Sequence, residues 1–174
     1  MSSAPTIVPA QVSIDPAALR QTLGAFATGV VVVAVEDKDG TPVGMTMSSF
    51  NSVSLDPPLV LFSVARTALS LPALRAAQAY GISVLAAHQA DLSGRFARAQ
   101  SKKWDGLDHA RGHGGAPLLP DAAAHLECVP HAIHDGGDHE IFIARVVAHR
   151  AAPADPLVFH AGRYRTLERD PRPK

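Results

Sequence analysis

Apolar residues fall into short blocks along the chain, and the spacing inside each block predicts its element. Leu19, Leu23, Phe26 and Ala27 recur at helical spacing behind Asp15-Pro16. Asp caps a helix and Pro fits its first turn, so a helix is expected from there to Thr28-Gly29. Val30 to Val35 is an unbroken run of β-branched and small apolar residues, which predicts a buried strand. Asp39-Gly40 is a hairpin signal, and the chain reverses there into Val43 and the segment from Gly44 to Ser54. Asp56-Pro57-Pro58 interrupts the pattern, because proline has no amide proton to give a ladder.

Leu59–Ala65 and Tyr80–Leu85 predict two more strands, with a helix from Ser70 to about Ala77 between them. A further helix opens at Asp91 and carries Leu92, Arg95, Phe96 and Arg98. From Ser101 to Pro120 periodicity is lost, and glycines at 106, 112, 114 and 115 predict a long loop, functional or mobile. His125–Val129 and Glu140–Val146 read as strands joined across Asp135-Gly136-Gly137-Asp138. Leu157–His160 and Tyr164–Leu167 read as a last hairpin around Ala161-Gly162. Strands outnumber helices, and most connections are hairpins. The fold class is mainly β with peripheral helices: an antiparallel barrel with helices on its outside.

Composition narrows the picture. At 174 residues, 47% hydrophobic and 18% charged, the chain suits one folded domain. A loose arm over residues 1–14 and a frayed tail over 168–174 are expected to flank a domain at 15–167. Sixteen Lys and Arg balance sixteen Asp and Glu, which argues against a nucleic-acid partner. The balance is uneven, however: −3 over residues 1–60, +4 over 61–120 and −1 over 121–174. Cys128 is the only cysteine, so no internal disulfide or Cys-rich zinc site is available. The N-terminus has no signal-peptide pattern, and the longest apolar run is too short to span a membrane. A cytoplasmic location is the default expectation.

The common catalytic motifs are missing. There is no G-x-G-x-x-G, P-loop, G-x-S-x-G or H-E-x-x-H. His131 and His134 would point to opposite faces of a strand, so no metal is expected. Four constellations remain. Thr46-Met47-Ser48-Ser49-Phe50-Asn51-Ser52-Val53-Ser54 packs five Ser or Thr and one Asn into nine residues. Such a row suits a polar planar ligand, and equally an edge strand kept soluble by small polar residues. Arg95, Arg98, Lys102 and Lys103 carry four positive charges with no acidic residue between Leu92 and Trp104. They suit a phosphate, or form a solvated helix face. Gly137-Asp138-His139 offers a close backbone approach and an imidazole at a strand start, or a surface turn. Gly162-Arg163-Tyr164 places an aromatic ring at a hairpin end, for stacking on a ligand or for packing.

Taken in order, these pieces resemble the short-chain flavin reductase family with its FMN-binding split-barrel fold. The matching residues are Phe26-Ala27-Thr28-Gly29-Val30, Gly44-Met45-Thr46 through Ser54, and Leu55-Asp56-Pro57-Pro58-Leu59-Val60. Arg95-Phe96-Ala97, Leu126-Glu127-Cys128, Gly137-Asp138-His139 and Gly162-Arg163-Tyr164 follow. Met47-Ser48 stands where the family more usually has Ala-Asn, and Trp104 where it has Phe. The resemblance implies an antiparallel split β-barrel, active as a homodimer, that passes hydride from NADH or NADPH to FMN or FAD. It also implies a partner: a flavin-dependent monooxygenase that receives the reduced flavin by diffusion.

The family's pattern places Thr46, Met47 and Ser48 against the isoalloxazine, largely through backbone groups. Ser63, Val64 and Ala65 border the same ring. Ser49, Ser52, Ser54, Thr67 and Ser70 are candidates for ribityl or phosphate contacts. Arg95, Lys102 and Lys103 are candidates for the phosphate or an FAD adenylate, and His139 and Tyr164 for the nicotinamide side. His139 is the one candidate catalytic residue. Two alternatives stand beside this reading. One is a non-enzymatic flavin- or haem-binding split-barrel protein. The other is a flavoenzyme that reduces an organic substrate on a retained flavin.

Overall fold

The computed structural model describes residues 13–99 and 102–168. Residues 1–12 of the expected arm and 169–174 of the expected tail lie outside the described residues. In chain order the elements are α1 (Pro16–Leu23), β1 (Thr28–Gly29), β2 (Val31–Glu36), β3 (Pro42–Met47), β4 (Asn51–Leu55), β5 (Pro58–Ala65), α2 (Leu71–Ala76), β6 (Tyr80–Val84) and α3 (Ala90–Ala97). There follow β7 (Ala110–Arg111), β8 (Pro117–Leu118), β9 (Ala124–Gly136), β10 (His139–Ala151), β11 (Val158–His160) and β12 (Arg163–Arg165).

Seven strands form one antiparallel sheet in the order β3-β2-β6-β9-β10-β5-β4. One face of that sheet converges on a single core. Val31, Val33, Val35, Met47, Val60, Phe62, Val64, Tyr80, Ile82, Cys128, Phe142 and Ala144 all meet there. A sheet whose inner face meets itself is a barrel, and β3 and β4 are its unpaired edges. This is the expected mainly β, split-barrel architecture. Phe62 and Phe142 stack at 5.1 Å, with Tyr80 edge-on to both. Leu71 and Leu74 bring α2 onto the same core.

β2 explains the valine run. Val31, Val33 and Val35 face the barrel core, while Val30 and Val32 face a second core with Leu85, Phe96, Leu119 and Leu157. A strand covered on both faces has no polar alternation. The run therefore leaves no apolar surface uncovered. What is uncovered lies elsewhere: on and after α1, where Leu23 and Phe26 are exposed and the helix buries no residue, and at Leu55 of β4 and Leu69 after β5.

Two expectations are corrected. The first helix stops at Leu23, capped by Gly24, and does not reach Thr28. Thr28 and Gly29 pair with Phe159 and Val158 of β11, and a residue held in a ladder cannot stay helical. The stretch 101–120 is also no open loop over the part described. Ala116, Leu118 and Leu119 are buried, β7 pairs with β8, Arg111 pairs with Glu36 at 2.8 Å, and the His113 amide donates to Glu127. Apolar burial outweighs the flexibility of its glycines.

The end of that stretch rests on a buried histidine. His125 Nε2 sits 2.7 Å from the Leu119 carbonyl, and Arg150 Nε donates to Nδ1 at 3.1 Å. With Nδ1 accepting, the ring is neutral and Nε2–H is the donor. Burial, aided by the Arg150 charge, holds its pKa below the usual histidine value. The unfolded chain therefore binds a proton that the folded chain refuses. Stability is expected to be greatest above about pH 6.5 and to fall as pH drops towards the lowered folded pKa. Urea midpoints taken from pH 7.5 down to pH 5 check this. His125→Gln should flatten the slope, and an unchanged slope would remove His125 as its source.

Candidate active site

A cleft of about 400 Å³ opens between β3, the segment 68–70 that follows β5, and the C-terminal end of α3. That volume falls within the range of small-molecule sites, roughly 300–1,000 Å³. Its walls are mainly apolar: Val43, Met45, Leu69, Phe96 and Trp104. Thr46, Ser70, Arg98 and Lys103 supply the polar groups. Trp104 stands with its edge to Phe96 at 4.8 Å and to His109 at 5.0 Å. Its Nε1 is buried and has no hydrogen-bond partner among the described residues. Met45, Leu69 and Trp104 were not legible as lining, because each reads as a core or loop residue in the sequence.

Most of the expected polar contacts on this side already serve the protein. Thr46 Oγ1 donates to the Ser93 carbonyl at 2.7 Å, and Tyr164 OH donates to Ser93 Oγ at 2.8 Å. Ser70 Oγ approaches Met45 Sδ at 3.1 Å. Lys103 Nζ donates to the carbonyls of Phe96 (2.9 Å) and Gly44 (3.2 Å), and burial holds its pKa below the usual lysine value. Arg95 donates to the Asp105 carbonyl. Lys102 is exposed and does not line the cleft.

The other expected residues group beside β5. Ser49 Oγ accepts from the Ser63 amide at 2.9 Å and donates to the Ser63 carbonyl at 3.1 Å. This double bond pins the chain where it crosses from β3 to β4. Ser63 and Ala65 face outwards, opposite Ile141 and His139 of β10. Val64 and Met47 point into the barrel core, so only their backbones can border a ligand. Ser48, Ser52 and Thr67 are exposed and Ser54 is half-buried; none lines the cleft.

His139 opens β10, next to Ala65 across the ladder. Its Nδ1 lies 2.7 Å from Asp138 Oδ1, and this bond holds the Asp138 carboxyl below its usual range. Gly137 takes φ 78°, the first central position of a two-residue hairpin, where a II′ turn needs glycine. The Arg66 amide donates to the Asp138 carbonyl at 2.9 Å. From Arg66 the chain runs through Thr67 to Ala68 on the cleft wall, so the His139 turn and the cleft share a strand exit. Behind His139, buried Glu140 is gripped by Arg75 of α2 and by Arg66. Arg75, with help from Arg66, holds the Glu140 carboxyl below its usual range. Tyr164 stands apart from His139, on β12 beside α3, edge-on to Phe159 at 5.7 Å. Buried Cys128 has a thiol pushed up to about 12 by desolvation and is inert at neutral pH.

Residues 23–168 match the family described as flavin reductase like domain. The chain belongs to this family. It is 41% identical over 150 residues to the stachydrine N-demethylase reductase subunit Stc3 of Rhizobium meliloti, covering 86% of this chain and 65% of Stc3. To the FMN reductase (NADH) SmoA of Agrobacterium fabrum it is 43% identical over 150 residues, covering 86% of this chain and 85% of SmoA. Among solved structures, the Streptomyces globisporus NADH:FAD oxidoreductase SgcE6, in complex with NAD and FAD fragments, superposes with a TM-score of 0.86. It is 39% identical, covering 92% of this chain and 99% of that one.

For a flavin reductase like domain the donor set is apt. Apolar walls suit a flat ring system, and Arg98 and Lys103 add positive charge to the lining.

Proposed function

We propose that the protein is an NAD(P)H:flavin oxidoreductase that transfers hydride from NADH or NADPH to FMN or FAD. The observation that carries this is the pairing of an apolar, cation-edged cleft with an outward His139 on the adjoining strand exit. A bound flavin supplies the hydride acceptor, N5 of its ring. The chain's own residues bind and orient. The backbone of Thr46–Ser48, with Ser63 and Ala65, borders the ring. Arg98 and Lys103 face its phosphate, with Lys102 and Thr67 at the rim. His139 takes the nicotinamide side.

Donor commitment supports flavin as a substrate that exchanges. Thr46, Ser49, Ser70, Lys103 and Tyr164 already donate within the protein. A ligand gains few new side-chain bonds on entry, which favours release over retention. Reduced flavin then passes to a flavin-dependent monooxygenase, a reading supported by a relative from Rhodococcus jostii named as the reductase subunit HsaB of such an enzyme. The active form is a homodimer. Leu23, Phe26, Leu55 and Leu69 are exposed large apolar side chains that a second copy would cover.

A steady-state assay that crosses NADH and NADPH with riboflavin, FMN and FAD tests the reading. Nucleotide oxidation well above the flavin-only rate is expected for at least one pair. No acceleration with any pair overturns it.

A further inference from the structure

We propose that Arg66 is a positioning residue for His139. The proposal rests on the reading that His139 serves the nicotinamide side. Arg66 follows β5 at the point where the chain turns towards the cleft, and each of its four nitrogens donates to the 135–140 turn. Its amide donates to the Asp138 carbonyl at 2.9 Å. Nε donates to the Gly137 carbonyl at 2.8 Å, one guanidinium nitrogen to Glu140 Oε1 at 2.8 Å, and the other to Asp135 Oδ2. Asp135 Oδ1 in turn accepts from the Gly137 amide at 3.0 Å. The planar guanidinium thus contacts both strands of the hairpin and its tip, a geometry that lysine cannot copy.

Position is what this hairpin needs. Asp138 is 92% exposed and His139 is 43% exposed. Neither is held by core packing, so the polar bonds at the turn are what fix its position. Arg66 ties that turn to the strand exit that becomes the cleft wall at Ala68, so it sets where the imidazole stands relative to the cleft.

Arg75 provides the control. It binds the same Glu140 carboxylate from α2, but makes no bond to Gly137 or Asp135. Removing either arginine leaves Glu140 with one partner, so both variants keep the buried carboxylate paired. If the cluster serves stability alone, Arg66→Ala and Arg75→Ala behave alike.

The experiment compares Arg66→Ala, Arg66→Lys and Arg75→Ala by amide hydrogen exchange without ligand and by steady-state kinetics. Arg66→Ala is expected to speed exchange at Gly137–His139 about tenfold and to raise KM for the nicotinamide nucleotide about tenfold, with KM for flavin little moved. Arg66→Lys should rescue only part of both effects, and Arg75→Ala neither. Equal exchange in the two alanine variants overturns the positioning role. Faster exchange in Arg66→Ala with unchanged KM for both nucleotides keeps the turn-holding role and overturns the assignment of His139 instead.

Discussion

Gly81→Ala is expected to destabilise the protein by about 3 kcal/mol or more, the largest stability effect of any single methyl group here. Gly81 lies in β6 between β2 and β9, opposite Ala34 and Glu127. A Cβ built on it would stand 2.2 Å from the Pro117 carbonyl oxygen and 3.1 Å from Leu118 Cδ2. The obstacle is backbone, and it cannot rotate away. Relief requires lifting β8 off the barrel, which exposes Leu118 and Leu119 and disturbs the bond from the Leu119 amide to Ser83 Oγ. Gly94→Ala, in the middle of α3, is the matched control. Nothing lies within 4 Å of its Cβ, so alanine should stabilise by about 0.5–1 kcal/mol through helix propensity. Urea midpoints for the two variants should move in opposite directions. A Gly81→Ala midpoint within error of wild type would show that β8 is not held as closely as described.

The close approach at Gly81 is one of several features the sequence does not disclose. A local signal was enough for β2, because five of the six residues of Val30–Val35 are β-branched, and for the hairpins at Asp39-Gly40 and Ala161-Gly162. It failed at Phe26 and Ala27, whose helical spacing is real but overridden by the pairing of Thr28 with Phe159 of β11. The glycines of 106–115 masked the burial of Leu118 and Leu119 for the same reason, since a propensity carries no information about a distant partner.

The site was half legible. The row Thr46–Ser54 reads as polar, but not that Ser49 is bound to Ser63 or that Thr46 and Tyr164 meet at Ser93. The Arg66–Glu140–Arg75 cluster left one usable trace. Glu140 occupies the same face of β10 as Phe142 and Ala144, both buried. A carboxylate at an inward position of an alternating strand implies a cation that reaches it, and the sequence names Glu140 without naming its partners.

His139→Ala is expected to lower kcat/KM for the nicotinamide nucleotide about 10- to 100-fold, while the flavin Kd changes less than about twofold. The asymmetry follows from where the imidazole stands. It lies outside the apolar cleft, opposite Ala65 on the outer face of the ladder. Asp138 engages Nδ1, which fixes the ring and leaves Nε2 as the group that can meet an incoming nucleotide. Removing the ring therefore takes away a contact on the second substrate and nothing from the pocket of the first. Asp138→Asn should cost less, because the amide oxygen still accepts from Nδ1–H, though its charge is gone. If His139 instead lined the flavin site, the flavin Kd would rise in step with the kinetic loss. If the turn were only structural, both alanine kinetics and flavin binding would stay at wild-type values, and Asp138→Asn would be silent too. Stopped-flow reduction at saturating flavin, paired with flavin titration in the absence of nucleotide, separates the three outcomes.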